Sequence, residues 1–264
     1  MAKIERYTKA ELVEYCKNIG LETKGKIMKK LLQEALEYGN EEIRQAINKG
    51  RSLEFLTSKI EKVAEGYANT LESKIENRKK EMKEDDNSHY LIYRVLGITH
   101  QHGKLIDEYQ NEGRFLYNHA GLFLEEATVL CLKFKNVDGG RKVIENNQGK
   151  IPNTFEIDFL DGNNAIEIKW KDATTDGNHK EKEHTRVKAI ASQNYVPIRV
   201  MFYYPHRSQA INIQENLAIF YKGVKGQYYG GDEAWDFIKE YTGFDLKEIL
   251  INIADKRTPK HESK

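Results

Sequence analysis

Residues 154–170 read Thr154-Phe155-Glu156-Ile157-Asp158-Phe159-Leu160-Asp161-Gly162-Asn163-Asn164-Ala165-Ile166-Glu167-Ile168-Lys169-Trp170. Two stretches of alternating apolar and polar residues flank four strong turn formers, and Asp-Gly is a short-range hairpin signal. With Asp161–Asn164 as the loop, Leu160 faces Ala165 and the pairing runs back one residue at a time, so Asp158 falls opposite Glu167. Opposed side chains of an antiparallel pair lie roughly 5 Å apart at Cβ and share a face. Alternation adds Lys169 to that face. It leaves Phe155, Ile157, Phe159, Ile166, Ile168 and Trp170 on the other, as an apolar set for a core.

Opposed like charges destabilise a hairpin unless something cationic compensates. Two hard oxygen ligands suit Mg²⁺. A metal between two carboxylates, with a lysine in reach of its water, is equipment for hydrolysing a phosphodiester. The bland reading is a solvent-facing strand of mixed charge, and Glu-Ile-Lys alone is a weak signal. The opposed Asp158 and the elements on either side are what strengthen it.

Those elements are a helix from about Phe115 to Phe134, a short strand near Val143–Ile144, the hairpin itself, a helix near Glu183–Ser192 and a near-continuous apolar strand Pro197–Tyr204. Ser208 is placed to cap a helix running through Phe220, and final helices carry Trp235, Phe237, Ile238, Leu246 and Ile249. Strands in a run and then in alternation with helices predict an α/β core, a mixed central sheet flanked by helices.

The N-terminal region reads as all-helical. Residues 7–38 form two short helices, the first capped by Thr8 and closed by Gly20, a residue tolerant of positive φ. Lys24, Lys26, Lys29 and Lys30 gather at the start of the second. This segment resembles the SAP motif, a small DNA-binding helical module; the alternative is an ordinary helical hairpin with a solvated lysine face. Residues 41–83 continue helical, and Ile60, Val63, Ala64, Tyr67, Leu71 and Ile75 form a stripe for the core or for a second copy. The charge run from Arg78 to Asn87 marks a boundary. The expected division is 1–40 SAP-like segment, 41–88 long helical region and linker, 89–255 main domain and 256–264 charged tail.

A hydrophobic fraction of 39% with 15 Tyr and 10 Phe excludes global disorder. The net charge of +1 neither supports nor excludes a nucleic-acid partner. Cys16 and Cys131 match no metal-ligand spacing and read as buried free thiols, as in a reducing cytoplasm. No apolar run suits a signal peptide or a membrane span, so a cytoplasmic prokaryotic protein without a membrane partner is expected.

Asp158 followed by Glu167-Ile168-Lys169 after a short hairpin resembles the PD-(D/E)XK nuclease motif, with Ile157 where the nominal proline would stand. Many members carry a further Glu on the preceding helix. Glu126 lies nearer the edge of the apolar stripe while Gly121 favours Glu125, and the choice stays open. Four longer segments, Ile98–Gln110, Ala165–Gly177, Glu183–Val187 and Ile198–Pro205, are similar to the ApaLI-like type II restriction endonucleases. That resemblance implies sequence-specific cleavage of double-stranded DNA with Mg²⁺, or Mn²⁺ in its place, by a homodimer paired with a cognate DNA methyltransferase. Asp158, Glu167 and the Ile168 carbonyl would hold the metal, and Lys169 the attacking water.

Further candidates for DNA contact are Asn178, His179, Lys180, His184 and Arg186 in the polar stretch after the hairpin, and Arg207 with Ser208 at a helix start. A surface loop is the alternative for the first group. Competing functions are a junction or repair nuclease of the same fold, and a non-catalytic DNA-binding protein.

Overall fold

The computed structural model describes residues 7–149, 151–171 and 177–258, with the backbone alone for 177–180. Helices α1 (Lys9–Asn18), α2 (Met28–Asn48), α3 (Ser52–Glu84), α4 (Tyr90–Val95) and α5 (His100–Lys135) precede the first strand. Then come β1 (Gly140–Glu145), β2 (Thr154–Asp161), β3 (Asn164–Lys171), α6 (Gly177–Ser192), β4 (Val196–Tyr203), α7 (Ser208–Gly223), β5 (Gln227–Gly230), α8 (Asp232–Thr242) and α9 (Leu246–Arg257). The chain falls into two compact units, Met1–Ile60 with Glu125–Lys264, and Glu61–Leu124.

Local chemistry explains the first hairpin of helices. Thr8 and Glu11 form a capping box at the start of α1, satisfying backbone donors that the helix cannot. Gly20 follows the helix end at φ +77°, as expected of a residue with no Cβ. Leu12, Cys16, Leu31 and Ala35 close a small core between α1 and α2. The second helix is longer than expected: it runs on through a buried Gly39 to Asn48, because that face continues apolar to Ile43 and Ala46.

The predicted α/β core is present, with one more strand than anticipated. Five strands lie in the order β1-β2-β3-β4-β5. The first three are antiparallel neighbours, and β3–β4 and β4–β5 are parallel. Strand β5, missed in the sequence, is only four residues, too short for alternation to register. On β4, Arg199 reaches Glu183 of α6 while Phe202 packs 4.3 Å from Trp235 of α8. Residues three apart on a strand face opposite ways, so α6 and α8 cover opposite faces of the sheet.

The helical unit packs α3 on α5. Tyr67 meets His119 and Phe123 edge-on at 6.1 and 6.3 Å. Lys79 pairs with Glu112 at 2.6 Å. The α3 stripe, expected to serve either the core or a second copy, is used here at Tyr67. Among the described residues no helix is long and apolar enough to cross a membrane. Both cysteines are buried free thiols.

Candidate active site

The turn between β2 and β3 holds the expected register, with Leu160 opposite Ala165, and Asp161 pairs with Asn164 so that Gly162 and Asn163 alone form the loop. The ladder stops at Phe159↔Ile166, one pair short of Asp158 and Glu167. On the other side the β1–β2 register shifts by one, from Gly140↔Leu160 to Lys142↔Ile157, so Asp158 and Phe159 together stand opposite Arg141. Such a bulge bends the strand and re-aims a side chain. Released by both neighbours, Asp158 turns its Oδ2 to the Ile168 backbone N–H, which donates at 2.8 Å.

The bulge also corrects the expected division of faces. Simple alternation places Phe155 and Ile157 opposite the carboxylates. They pack instead with Ala165 of β3 and with Ala189 and Ile190 of α6, and the Arg186 guanidinium lies 5.7 Å over the Phe155 ring. An extra residue in one strand inverts the alternation on its far side.

Glu167 is buried on the central strand, and one of its oxygens, Oε1, takes both the Lys169 ammonium and the Arg186 guanidinium. Arg186 also lies 3.6 Å from Glu183 Oε1, and Glu183 Oε2 accepts from Arg199 at 2.8 Å. The chain of charges thus runs Lys169–Glu167–Arg186–Glu183–Arg199, with Glu183 and Arg199 about 1% exposed. Buried charges persist only when paired. Register explains the closure: Glu167 and Arg199 are Cα partners on adjacent strands, and α6 brings Glu183 and Arg186 over them.

Burial, then the Glu167 charge, pushes the Asp158 carboxyl up, with Glu125 adding to the push and Lys169 opposing it. Burial acts upward on Glu167 as well, but Lys169 and Arg186 hold it below the usual carboxylate range. For Lys169 burial acts downward, and the Glu167 and Asp158 charges outweigh it, so the ammonium stays protonated. A protonated lysine orients water and stabilises developing negative charge; it does not accept a proton.

Among the described residues, no group of three or more His, Cys, Asp or Glu side chains is gathered to hold a metal. Asp158, Glu167 and the Ile168 carbonyl offer hard oxygens only, a small set that suits Mg²⁺, which keeps several waters. Asp158, pushed up by burial and a neighbouring carboxylate, is the group a divalent cation would relieve. The donor chemistry fits.

The two helix glutamates separate. Glu125 is half-buried and its charge bears on Asp158, whereas Glu126 is buried and its charge bears on Tyr7. The other expected residues divide similarly. Arg186, expected at DNA, is tied to Glu167 and Glu183. His184 stacks on Phe220 of α7 at 4.3 Å, a packing contact. The side chains of Asn178, His179 and Lys180 lie outside the described residues. Arg207 and Ser208 are exposed, but Arg207 is the N-cap and Ser208 the first helical residue, so the serine does not cap α7. Lys26 pairs with Glu34 at 2.7 Å, while Lys24, Lys29 and Lys30 are exposed.

Glu183 and Arg199 were not singled out by their chemistry in the sequence. One signal was there: an arginine inside Pro-Ile-Arg-Val-Met-Phe, an apolar strand, must be paired when buried. The chain matches the family model of the ApaLI-like restriction endonuclease over residues 27–255. No curated protein and no solved structure matches it.

Proposed function

The chain belongs to the ApaLI-like restriction endonuclease family, and from that premise we propose that it is a type II restriction endonuclease with a PD-(D/E)XK site. It cuts both strands of DNA at a short palindrome with Mg²⁺, as a homodimer beside a cognate methyltransferase in a prokaryotic cytoplasm. The observation that carries this reading is the hairpin. It sets Asp158 against the β3 backbone at Ile168, flanked on β3 by Glu167 and Lys169.

Asp158, Glu167 and the Ile168 carbonyl are the proposed ligands. A bound Mg²⁺ would supply Lewis-acid polarisation of the scissile phosphate and a water of lowered pKa. Glu167 has Oε1 engaged by two cations, so Oε2 is the proposed ligand atom. Lys169, kept protonated, orients the attacking water and offsets charge growing on the phosphate. Glu125 adds negative potential at Asp158 and so raises the site's affinity for a cation. The SAP-like segment, with Lys24, Lys29 and Lys30 exposed, is the proposed electrostatic hold on the DNA backbone.

Plasmid digestion with Mg²⁺ tests the reading. Discrete bands are expected. A smear, or cutting only at junctions, would favour a structure-specific nuclease, and no cleavage with any divalent ion a non-catalytic DNA-binding protein.

A further inference from the structure

Two cations share one carboxylate oxygen at the site, and they are held differently. Oε1 of Glu167 takes both the Lys169 ammonium and the Arg186 guanidinium. Lys169 extends from β3, the strand of Glu167 itself, and its side chain is 32% exposed. Among the described residues its one ion pair is with Glu167. Arg186 arrives from α6, and its side chain is 13% exposed.

The surroundings of Arg186 fix it. Glu183, Arg186, Val187 and Ile190 recur at helical spacing, so one face of α6 carries all four. Val187 and Ile190 are buried, and Ile190 packs with Ala189 on Phe155 and Ile157 of β2. That apolar contact sets where the two charged side chains of the face arrive. The Arg186 guanidinium lies over the Phe155 ring and 3.6 Å from Glu183 Oε1. Glu183 is held in turn by Arg199 of β4 at 2.8 Å, and both members of that pair are buried.

A charge in a dry interior that loses its partner is costly, whereas one at an open edge regains water. Leaving Glu167 would strand Arg186 among groups already committed to one another. Lys169 would lose one contact and keep its access to solvent.

We propose that Arg186 is the positioning residue of this site. It is the standing partner of Glu167. Anchored through Glu183 to Arg199, it fixes the Glu167 side chain so that Oε2 is the atom offered to a cation. It also leaves Lys169 at liberty to turn from Oε1 to the attacking water. The inference deepens the reading above and rests on it for the cation and the water.

Charge alone makes a different prediction. Lys169 and Arg186 each place one positive charge on the same oxygen. As mere repellers of a metal ion they are equivalent, and deleting either would tighten its binding. As a positioning group Arg186 has the opposite sign: its loss releases the ligand and weakens binding.

Mn²⁺ titration of the full chain without DNA, followed by electron paramagnetic resonance of the free ion, separates the two. Lys169→Ala should bind Mn²⁺ as tightly as wild type or more tightly. Arg186→Met should raise the Mn²⁺ dissociation constant about 10–100-fold, the scale of losing an outer-shell partner. Arg186→Lys returns a cation to the same place and should recover most of the difference. Circular dichroism melting establishes that each variant is folded. If Arg186→Met is not, Arg186→Gln decides: its amide ends at the level of the lost Nε, short of Glu167, and it should weaken Mn²⁺ likewise. Equal or tighter binding by Arg186→Met overturns the proposal, as does a Lys169→Ala protein that weakens to the same extent. A wild type that binds Mn²⁺ but does not cut DNA removes the proposed reaction, and opposite signs in the two variants still uphold Arg186. A wild type that cuts, with Arg186→Met binding Mn²⁺ normally, does the reverse.

Discussion

The backbone N–H of Ile168 donates to Oδ2 of Asp158 at 2.8 Å. A side-chain carboxylate there takes an N–H of β3 just beyond the last β2–β3 backbone pair, because the β2 bulge lifts the next residues out of the ladder. Asp158 is thus both a structural acceptor and the proposed ligand. Asp158→Asn keeps an acceptor for Ile168 and should fold and bind DNA. Its cleavage should fall below about one hundredth of wild type, more than the loss of an outer-shell partner to a metal costs. Thermal melting, DNA binding and plasmid cutting, measured together, check this.

Lys169→Ala should likewise fold and bind DNA but lose about 10²–10³-fold in cleavage rate, the scale of removing a positioned donor. Full cutting by this variant would remove the acid–acid–lysine assignment. The short span of sequence that held this site was legible because hairpin register depends on neighbours and turn chemistry. The bulge was not, because it depends on how β1 pairs.

Glu125→Gln should raise the Mg²⁺ concentration needed for half-maximal cutting by about 10–100-fold, as loss of an outer-shell group does. Glu126→Gln should shift it far less, since the Glu126 charge bears on Tyr7 while Glu125 is the helix glutamate that bears on Asp158. Metal titrations of the two variants compare them directly. Helical periodicity places Glu126 nearer the edge of the apolar stripe; the Glu125 charge that bears on Asp158 is what makes Glu125 the proposed assistant.

Removing one end of the buried ion chain leaves an unpaired charge. Arg199→Met should cost about 3–5 kcal/mol by denaturant unfolding, and Arg199→Met with Glu183→Met distinctly less, because the second change removes the stranded carboxylate. Equal losses in the single and double variants would contradict the pairing.

Asp245 caps α9 through Glu248 N–H at 3.0 Å and pairs with Lys239 at 2.8 Å. The Lys239 hydrogen bond, with that of Glu248, holds its carboxyl below the usual range. Asp245→Ala should cost about 1 kcal/mol near neutral pH. A depressed carboxyl stabilises above its unfolded pKa of about 3.9, and that contribution is lost as pH falls through the lower folded value. The gap between wild type and variant should therefore close in acid, as urea unfolding at neutral and acid pH would show.

What the sequence by itself determined is local. It contained the α/β class, the 160↔165 register, the Thr8 cap, the positive φ of Gly20 and the candidate set Asp158, Glu167 and Lys169. Each follows from turn chemistry or a period of 2 or 3.6 within one stretch of chain. Only the tertiary structure decided the aim of Asp158, which helix glutamate bears on it, the fate of Arg186 and the Glu183–Arg199 pair. Arg186 read as a cation for DNA, yet α6 lies across the sheet and carries it to Glu167. A charge's role depends on what lies across the packing interface, and periodicity along one strand or helix holds no information about the element that will cover it.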